Sequence, residues 1–371
     1  MKKLLVTGAN GFIGRNFCCE LSRFPDSYEL LRADVDTSPE QLREYLAACD
    51  AVVHFAGVNR PKEESEFRTG NAGFTGDIVS RLAELGNAVP VIMTSSIQAE
   101  LDNPYGRSKR EGEEVLFSYG RVQKTPVYVF RLPNVFGKWC RPNYNSAVAT
   151  FCYNVARGLP IQVNDPGRMM TLVYIDDVVA AVRAAADGQL APQADGFCYV
   201  QTAYSAPLQY IADKIAEFGK IKETLLVPPL EGLDKALYST YLSYLPTDAF
   251  AYTPPAHADA RGLFAELFKT AQLGQFSVST TAPGVTRGNH WHHTKTEKFI
   301  VVGGEASIRF RRIDADEIIE YKVTGAAPTV VDIPPGYTHS ITNTGGGELV
   351  TLIWANETFD PAHPDTYAAE V

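Results

Sequence analysis

The chain has 371 residues, 45% hydrophobic and 21% charged. At roughly 150 residues per domain, that predicts two domains with sizeable cores. The 34 Lys plus Arg against 43 Asp plus Glu leave a net charge of −9. This argues against nucleic acid or an anionic membrane as partner, since both require excess positive charge.

The apolar run Leu4 to Val6 stops at Thr7-Gly8, too short for a signal-peptide core. No stretch reaches the roughly 18 apolar residues of a membrane span, so the expected location is the cytoplasm. Six cysteines (Cys18, Cys19, Cys49, Cys140, Cys152, Cys198) contain no Cys-x-x-Cys pair. Buried, reduced thiols account for all six.

In chain order, a strand at Lys3–Thr7 precedes a helix from about Ile13. Further strands are predicted at Ala51–Phe55, Val91–Thr94 and Val127–Leu132, separated by longer helical patterns. That rhythm predicts parallel strands with crossover helices. Beyond residue 245 the pattern changes to short strands broken by Gly and Pro: Gln275–Thr280, Glu297–Val302, Ala306–Arg311, Thr329–Ile333 and Leu349–Ala355. These predict an antiparallel sandwich or barrel. The expected domains are 1–243 and 247–371, divided at Leu245-Pro246-Thr247-Asp248.

Gly8, Asn10, Gly11, Phe12, Ile13 and Gly14 follow the first strand and open the first helix. Glycines there let the backbone approach a pyrophosphate, and the helix N-terminus offers free N–H groups to it. Arg32, at the end of the second strand, suits a 2′-phosphate. Asp34 lies 20 residues past Gly14, the spacing of a ribose-binding acid. Because Arg32 comes first along the strand, NADPH is favoured over NADH. Tyr105 and Lys109 stand four apart on a predicted helix and share a face. An ammonium beside the phenol would lower its pKa, and Ser95 or Ser96 would bring a hydroxyl to it.

These motifs in this order resemble the extended short-chain dehydrogenase/reductase family. His54-Phe55-Ala56-Gly57, Asn71, Arg131-Leu132-Pro133-Asn134-Val135-Phe136-Gly137 and Tyr174-Ile175-Asp176-Asp177 continue the resemblance over about residues 1–243. It implies a Rossmann fold acting on a nucleotide sugar, with Phe55, Ala56 and Gly57 at the cofactor. Ser96 and Tyr105 would bond the reacting oxygen, Tyr105 would pass its proton, and Lys109 would hold the nicotinamide ribose. No Asp-Glu pair follows Ser96, so the family's dehydratase chemistry is disfavoured.

In the second half, His290 and His292 alternate onto one face of an extended strand. With Glu297 and His339 they supply three nitrogens and one oxygen, a set suited to Zn²⁺ or another divalent first-row metal. Gly284-x5-His290-x-His292-x4-Glu297-x6-Gly304 and Pro334-x-Gly336-x2-His339-x3-Asn343 resemble the two cupin motifs. That implies a double-stranded β-barrel (jelly roll) around the metal, with His293 facing solvent. Asp259-Ala260-Arg261-Gly262-Leu263-Phe264-Ala265-Glu266 is similar to the deoxysugar 3,5-epimerase branch of the cupins. By position, that branch's base would be His290 and its oxyanion lysine Lys298. Its acid tyrosine is replaced by Phe359, and a metal-bound His290 has no lone pair left to act as base.

The whole chain resembles the capsule and O-antigen enzymes that join such a reductase to such a cupin. Phe136–Ser146 and Leu237–Pro246 add to the likeness. The resemblance implies a bacterial homodimer acting on a UDP-4-keto-6-deoxy-N-acetylhexosamine. C3 epimerisation of UDP-2-acetamido-2,6-dideoxy-β-L-arabino-hexos-4-ulose would precede NADPH reduction at C4. The product would be UDP-N-acetyl-L-talosamine, the precursor of UDP-N-acetyl-L-fucosamine. Arg141 and Arg168, in polar turn-rich stretches, are the candidates for the UDP phosphates. One alternative keeps the reductase and makes the cupin a metal-stabilised dimerisation module. Another is a non-enzymatic cofactor sensor, which an intact Ser96, Tyr105 and Lys109 disfavours.

Overall fold

The computed structural model describes residues 1–371. Two compact units emerge: Met1–Ile215 with Ser239–Leu245, and Ala216–Tyr238 with Pro246–Val371. Residues 216–238 therefore group with the second unit, although they precede the boundary drawn from sequence. No helix is long and apolar enough to cross a membrane.

The first part of the chain runs β1 (Lys2–Thr7), α1 (Phe12–Leu21), β2 (Tyr28–Ala33), α2 (Pro39–Ala48), β3 (Ala51–His54) and α3 (Ser65–Arg68). It continues α4 (Phe74–Glu84), β4 (Val91–Ser96), α5 (Pro104–Gln123), β5 (Val127–Leu132), β6 (Asn134–Phe136) and α6 (Ala147–Val155). Then follow β7 (Met169–Tyr174), α7 (Ile175–Ala186), β8 (Tyr204–Pro207), α8 (Leu208–Phe218), α9 (Ile221–Thr224) and α10 (Gly232–Leu242).

The parallel sheet has the order β2-β1-β3-β4-β5. Its strands are apolar on both faces, as a sheet covered by helices requires. On one face Leu4, Val6 and Phe130 pack with Phe17 of α1 and Val178 and Val182 of α7. On the other, Leu5, Val52 and Val129 pack with Leu82 of α4 and Leu116 of α5. Burying each such side chain stabilises the fold by about 1.5–3 kcal/mol. β6, β7 and β8 form a separate small sheet.

All six cysteines are free, and five are buried. Cys19 corrects the expectation that all lie inside. Its neighbour Cys18 takes the inward position on α1, which turns Cys19 to the exposed side.

The second part contains β9 (Ala256–Asp259), β10 (Gly262–Thr270), β11 (Gly274–Thr281), β12 (Thr286–Trp291), β13 (Glu297–Gly303) and β14 (Glu305–Arg312). It ends with β15 (Ile318–Thr324), β16 (Val330–Ile333), β17 (Tyr337–Asn343), β18 (Leu349–Ala355) and β19 (Tyr367–Ala368). Two antiparallel sheets result, β16-β13-β18-β11-β10-β9 and β15-β14-β17-β12-β19. Phe299, Val301, Ile308, Phe310, Ile333 and Ile341 form the apolar core of this β-sandwich. Beside that core lies a cavity of about 380 Å³, lined by residues of both sheets. The architecture is a Rossmann-like α/β domain followed by an all-β cupin.

Candidate functional site

In the first unit, α1 begins at Phe12, and no side chain caps its first turn. A Cβ on Gly14 would lie 2.1 Å from the Gly8 carbonyl oxygen, so the turn closes only with glycine there. This leaves backbone N–H groups in a tight cradle at the C-terminal end of β1, which fits a dinucleotide pyrophosphate. Ala9, Asn10, Arg32 and Asp34 line one pocket beside it. Arg32 is the penultimate residue of β2 and is exposed, whereas Asp34 lies just past the strand. The Asp34 carboxylate is already engaged, accepting the Asn10 N–H at 2.7 Å and the Val35 N–H at 2.9 Å.

α5 starts where its sequence specifies a start. The Asn103 side chain accepts from the Gly106 N–H at 2.7 Å, and Pro104 occupies the first turn. Tyr105 and Lys109 thus lie one turn apart on the buried face. Ser96, the last residue of β4, stands beside the Tyr105 phenol, and its Oγ accepts the Gln98 N–H at 3.2 Å.

The expected lowering of the phenol by Lys109 does not occur. Burial pushes the Tyr105 pKa up, the Ser96 hydroxyl pulls the other way, and Tyr144 adds to the rise. The Lys109 amine instead donates to the Thr94 carbonyl at 2.9 Å. Burial holds that amine down to about 8, with Glu113 opposing. His54 at the end of β3 is buried between the hydroxyls of Thr7 (2.7 Å) and Thr75 (3.1 Å). Burial, then the charge of Lys109, keeps it neutral, at about 3.

Two residues behind this trio went unassigned by the sequence reading. Glu113, a further turn along α5, is buried and accepts from Ser95 Oγ at 2.5 Å. It also accepts from Arg131 Nε at 3.1 Å and Nη2 at 2.7 Å. The Arg131 guanidinium lies 3.7 Å from the Phe197 ring. This pair ties α5 to β4 and β5 directly behind Ser96. The Tyr105, Lys109, Glu113 spacing of four was the available signal.

Arg141 approaches the ring of Tyr144 at 5.2 Å, with Arg60 on the same ring at 5.4 Å. Arg141 is exposed, in the turns between β6 and α6. Arg168 is exposed in the turn leading into β7, where its backbone carbonyl accepts the Leu208 N–H.

In the second unit, His290, His292, Glu297 and His339 converge, their ligand atoms all within 4.8 Å of one another. His290 pairs with His339 across β12 and β17, with ring centroids 4.5 Å apart. The close approach needs Gly288, whose φ is 92° and whose Cβ would meet the His339 carbonyl oxygen at 2.7 Å.

His292 Nε2 lies 3.2 Å from the Glu297 carboxylate and His339 Nε2 lies 3.5 Å from it. The longer approach makes no hydrogen bond, and both His339 ring nitrogens are buried without a partner. Burial, then neighbouring His290, holds His339 neutral, at about 3. Burial also lowers the His290 pKa. For Glu297 burial raises the pKa, but His292, His339 and Lys295 outweigh it and keep the carboxylate ionised. Neutral imidazoles, an ionised carboxylate and orphaned buried nitrogens fit a divalent metal.

The cavity beside this cluster contains Arg261, Arg287, Lys295 and Phe359. Arg287 Nε and Nη2 are buried with no partner, so the guanidinium is a ready receptor for negative charge. Phe359 is at the cavity as expected, and His293 is exposed. The placement of Lys298 is corrected. Strand alternation sends Glu297 and Phe299 into the cavity and Lys298 outward, where its ammonium pairs with Asp332. The lysine in the cavity is Lys295, buried, with Nζ 3.3 Å from Thr366 Oγ1. It sits in the loop before β13, where no periodicity marks it.

Residues 4–194 match the NAD dependent epimerase/dehydratase family, and residues 257–367 match the polysaccharide biosynthesis C-terminal domain. A curated relative from Pseudomonas aeruginosa, UDP-2-acetamido-2,6-beta-L-arabino-hexul-4-ose reductase, is 47% identical over 370 residues, covering 100% of this chain and 99% of the relative. The crystal structure of the capsular polysaccharide assembling protein CapF from Staphylococcus aureus is 45% identical, with a TM-score of 0.92 over 99% of this chain and 100% of that one. A structure of CapF with the inhibitor 3-isopropenyl-tropolone is 40% identical, with a TM-score of 0.87 and full coverage of both chains. The chain therefore belongs to the NAD dependent epimerase/dehydratase family, in the two-domain form that CapF shares.

Proposed function

We propose that the chain is a bifunctional nucleotide-sugar enzyme of capsule or O-antigen synthesis. The cupin epimerises C3 of UDP-2-acetamido-2,6-dideoxy-β-L-arabino-hexos-4-ulose, and the first domain reduces the C4 ketone to UDP-N-acetyl-L-talosamine. One observation carries the reading: each unit has its own buried apparatus, Ser96–Tyr105–Lys109 in one and the His290–His292–Glu297–His339 cluster in the other. The name of the Pseudomonas aeruginosa relative supports the substrate.

In the reductase, the glycine cradle, Phe55, Ala56 and Gly57 hold the dinucleotide, with Arg32 on its 2′-phosphate. NADPH, when bound, supplies the hydride. The Tyr105 phenol, kept protonated by burial, gives its proton to the C4 oxygen, which Ser96 orients. A raised phenol suits this direction, because a reductase must start with its acid protonated. Lys109 holds the ribose, and Arg141 is the first phosphate candidate. Arg168 remains the second phosphate candidate.

In the cupin, His290, His292, Glu297 and His339 would hold Zn²⁺ or another divalent first-row ion, which would supply Lewis acidity to the C4 ketone. The C3 proton passes to solvent water and one returns to the opposite face of C3; the negative charge held meanwhile on the ketone oxygen meets the Lys295 ammonium, which faces that same cavity. Arg287, with Arg261 nearby, receives the diphosphate. Epimerisation comes first, because C3–H is acidic only while the ketone survives.

NMR of the 4-keto sugar nucleotide in D₂O, with and without NADPH and with and without chelator, tests the assignment. Metal-dependent C3 exchange without NADPH is expected, with C4 reduction only when NADPH is added. Absent exchange would reduce the cupin to a structural module, and exchange unchanged by chelation would overturn the metal's part in it.

A further inference from the structure

The C-terminal segment crosses back over the cupin's histidine loop and makes an unusual density of bonds there. The Asp365 carboxylate accepts the backbone N–H groups of His293 (2.9 Å), Thr294 (2.9 Å) and Lys295 (2.8 Å), and the Thr294 hydroxyl at 3.1 Å. Its backbone carbonyl lies 2.7 Å from His292 Nδ1. Asp365 does this at φ 37°, a left-handed conformation costly for a non-glycine residue. The neighbouring residues continue the seam. Thr366 Oγ1 receives the Lys295 ammonium, β19 pairs Ala368 with His290, and the Ala369 N–H donates to the Asn289 carbonyl.

We propose that residues 365–369 form a strap over the metal site, in which Asp365 is the positioning residue for His292. This rests on the metal reading above. A carbonyl oxygen can only accept, so His292 Nδ1 keeps its proton for Asp365, and Nε2, the nitrogen facing Glu297, is the one left to ligate a metal. The carboxylate meanwhile fixes the backbone of the three residues after His292, a loop outside the strand ladder. Ring orientation and tautomer are thus set by one residue 73 positions away. Outer partners of metal-binding histidines typically contribute about 10–100-fold in metal affinity.

The test uses the full chain loaded with Co²⁺ in competition with a chromophoric chelator. Asp365→Ala should bind Co²⁺ about 10–100-fold more weakly than wild type, with a changed visible absorption band. Asp360→Ala, whose bonds stay within 360–363, should match wild type in both. Trp291 fluorescence reports docking of the strap, because its ring lies 5.0 Å from Tyr367. If Asp365→Ala does not fold, Thr294→Val removes one of the four donors and should still weaken binding about 2–5-fold, a typical hydrogen-bond loss. Wild-type affinity and spectrum in the folded variants would overturn the strap. A wild-type chain that binds no Co²⁺ would overturn the metal reading itself, a separate and recognisable result.

Discussion

Glu297 and Lys298 are consecutive on β13 and face opposite ways. The Glu297 carboxylate turns inward to within 3.2 Å of His292, while the Lys298 ammonium turns outward to Asp332. A strand allows nothing else for neighbours, since its side chains alternate. The lysine inside the cavity is therefore Lys295, one residue of the loop before the strand, alongside Arg261 and Arg287.

Two lysine variants follow from that geometry. Lys295→Met should slow C3–H exchange in D₂O by about 10²-fold or more, the usual cost of losing an oxyanion partner. Lys298→Met should leave exchange near wild type. Equal losses, or a larger loss at Lys298, would show that the wrong lysine is assigned.

Tyr105→Phe removes the proton donor and keeps the ring. NADPH consumption should fall by about 10²–10⁴-fold, the usual contribution of a positioned acid. Metal-dependent C3 exchange should persist, because it belongs to the other unit. Full NADPH-consuming activity in this variant would return the first domain to a cofactor sensor.

The pH dependence of reduction has a definite sign. The Lys109 amine is held down to about 8 by burial. Below that value it is charged and can hold the ribose, so kcat/KM should fall as pH rises through about 8. Glu113 pulls the amine pKa upward, and Glu113→Gln should move the falling limb to lower pH. His54, Tyr105 and Arg131 are the other titratable or charged groups around Glu113 and Lys109, and His54 stays neutral throughout. Stability runs the opposite way. An unfolded lysine keeps its proton to about 10.4, so between 8 and that value the unfolded state binds more protons and Lys109 becomes less costly. Lys109→Met should therefore be more stable than wild type at pH 7, by about 1–3 kcal/mol, with the gap closing at higher pH. Urea unfolding at several pH values reads it.

Arg32 and Asp34 line the same pocket with different commitments. Arg32→Ala should raise the KM for NADPH about 10-fold or more and leave NADH nearly unchanged, because only the 2′-phosphate contact is lost. Asp34→Asn should weaken both cofactors, because its carboxylate holds the Asn10 N–H of the glycine turn. A NADPH-selective effect at Asp34 would contradict this division.

The legible parts of the site were those written in short-range spacing. The glycine turn after β1, Tyr105 and Lys109 one helical turn apart, and His290 with His292 beside Glu297 all depend on spacings of two to five residues. Ser96 was found because it ends a strand. Glu113 repeats the same spacing and was passed over, since a carboxylate on a long helix is ordinarily solvated and only Arg131 makes it a buried partner. Lys298 was misplaced because motif position does not reveal which face of a strand a residue occupies. Cys19 was misplaced for the analogous reason on a helix.

By itself, the sequence pointed to two domains, a glycine turn suited to a dinucleotide, a tyrosine–lysine pair one helical turn apart and four side chains that could hold a metal ion, because each is encoded within a few residues or in a recognisable motif. Only the tertiary structure decided which lysine enters the cupin cavity, that Asp365 reaches His292 from 73 residues away, and that the Tyr105 phenol is raised instead of lowered. Strand facing depends on register, where a one-residue slip turns every side chain over. A pKa depends on burial and on what lies across the fold, and neither is a property of neighbours in sequence.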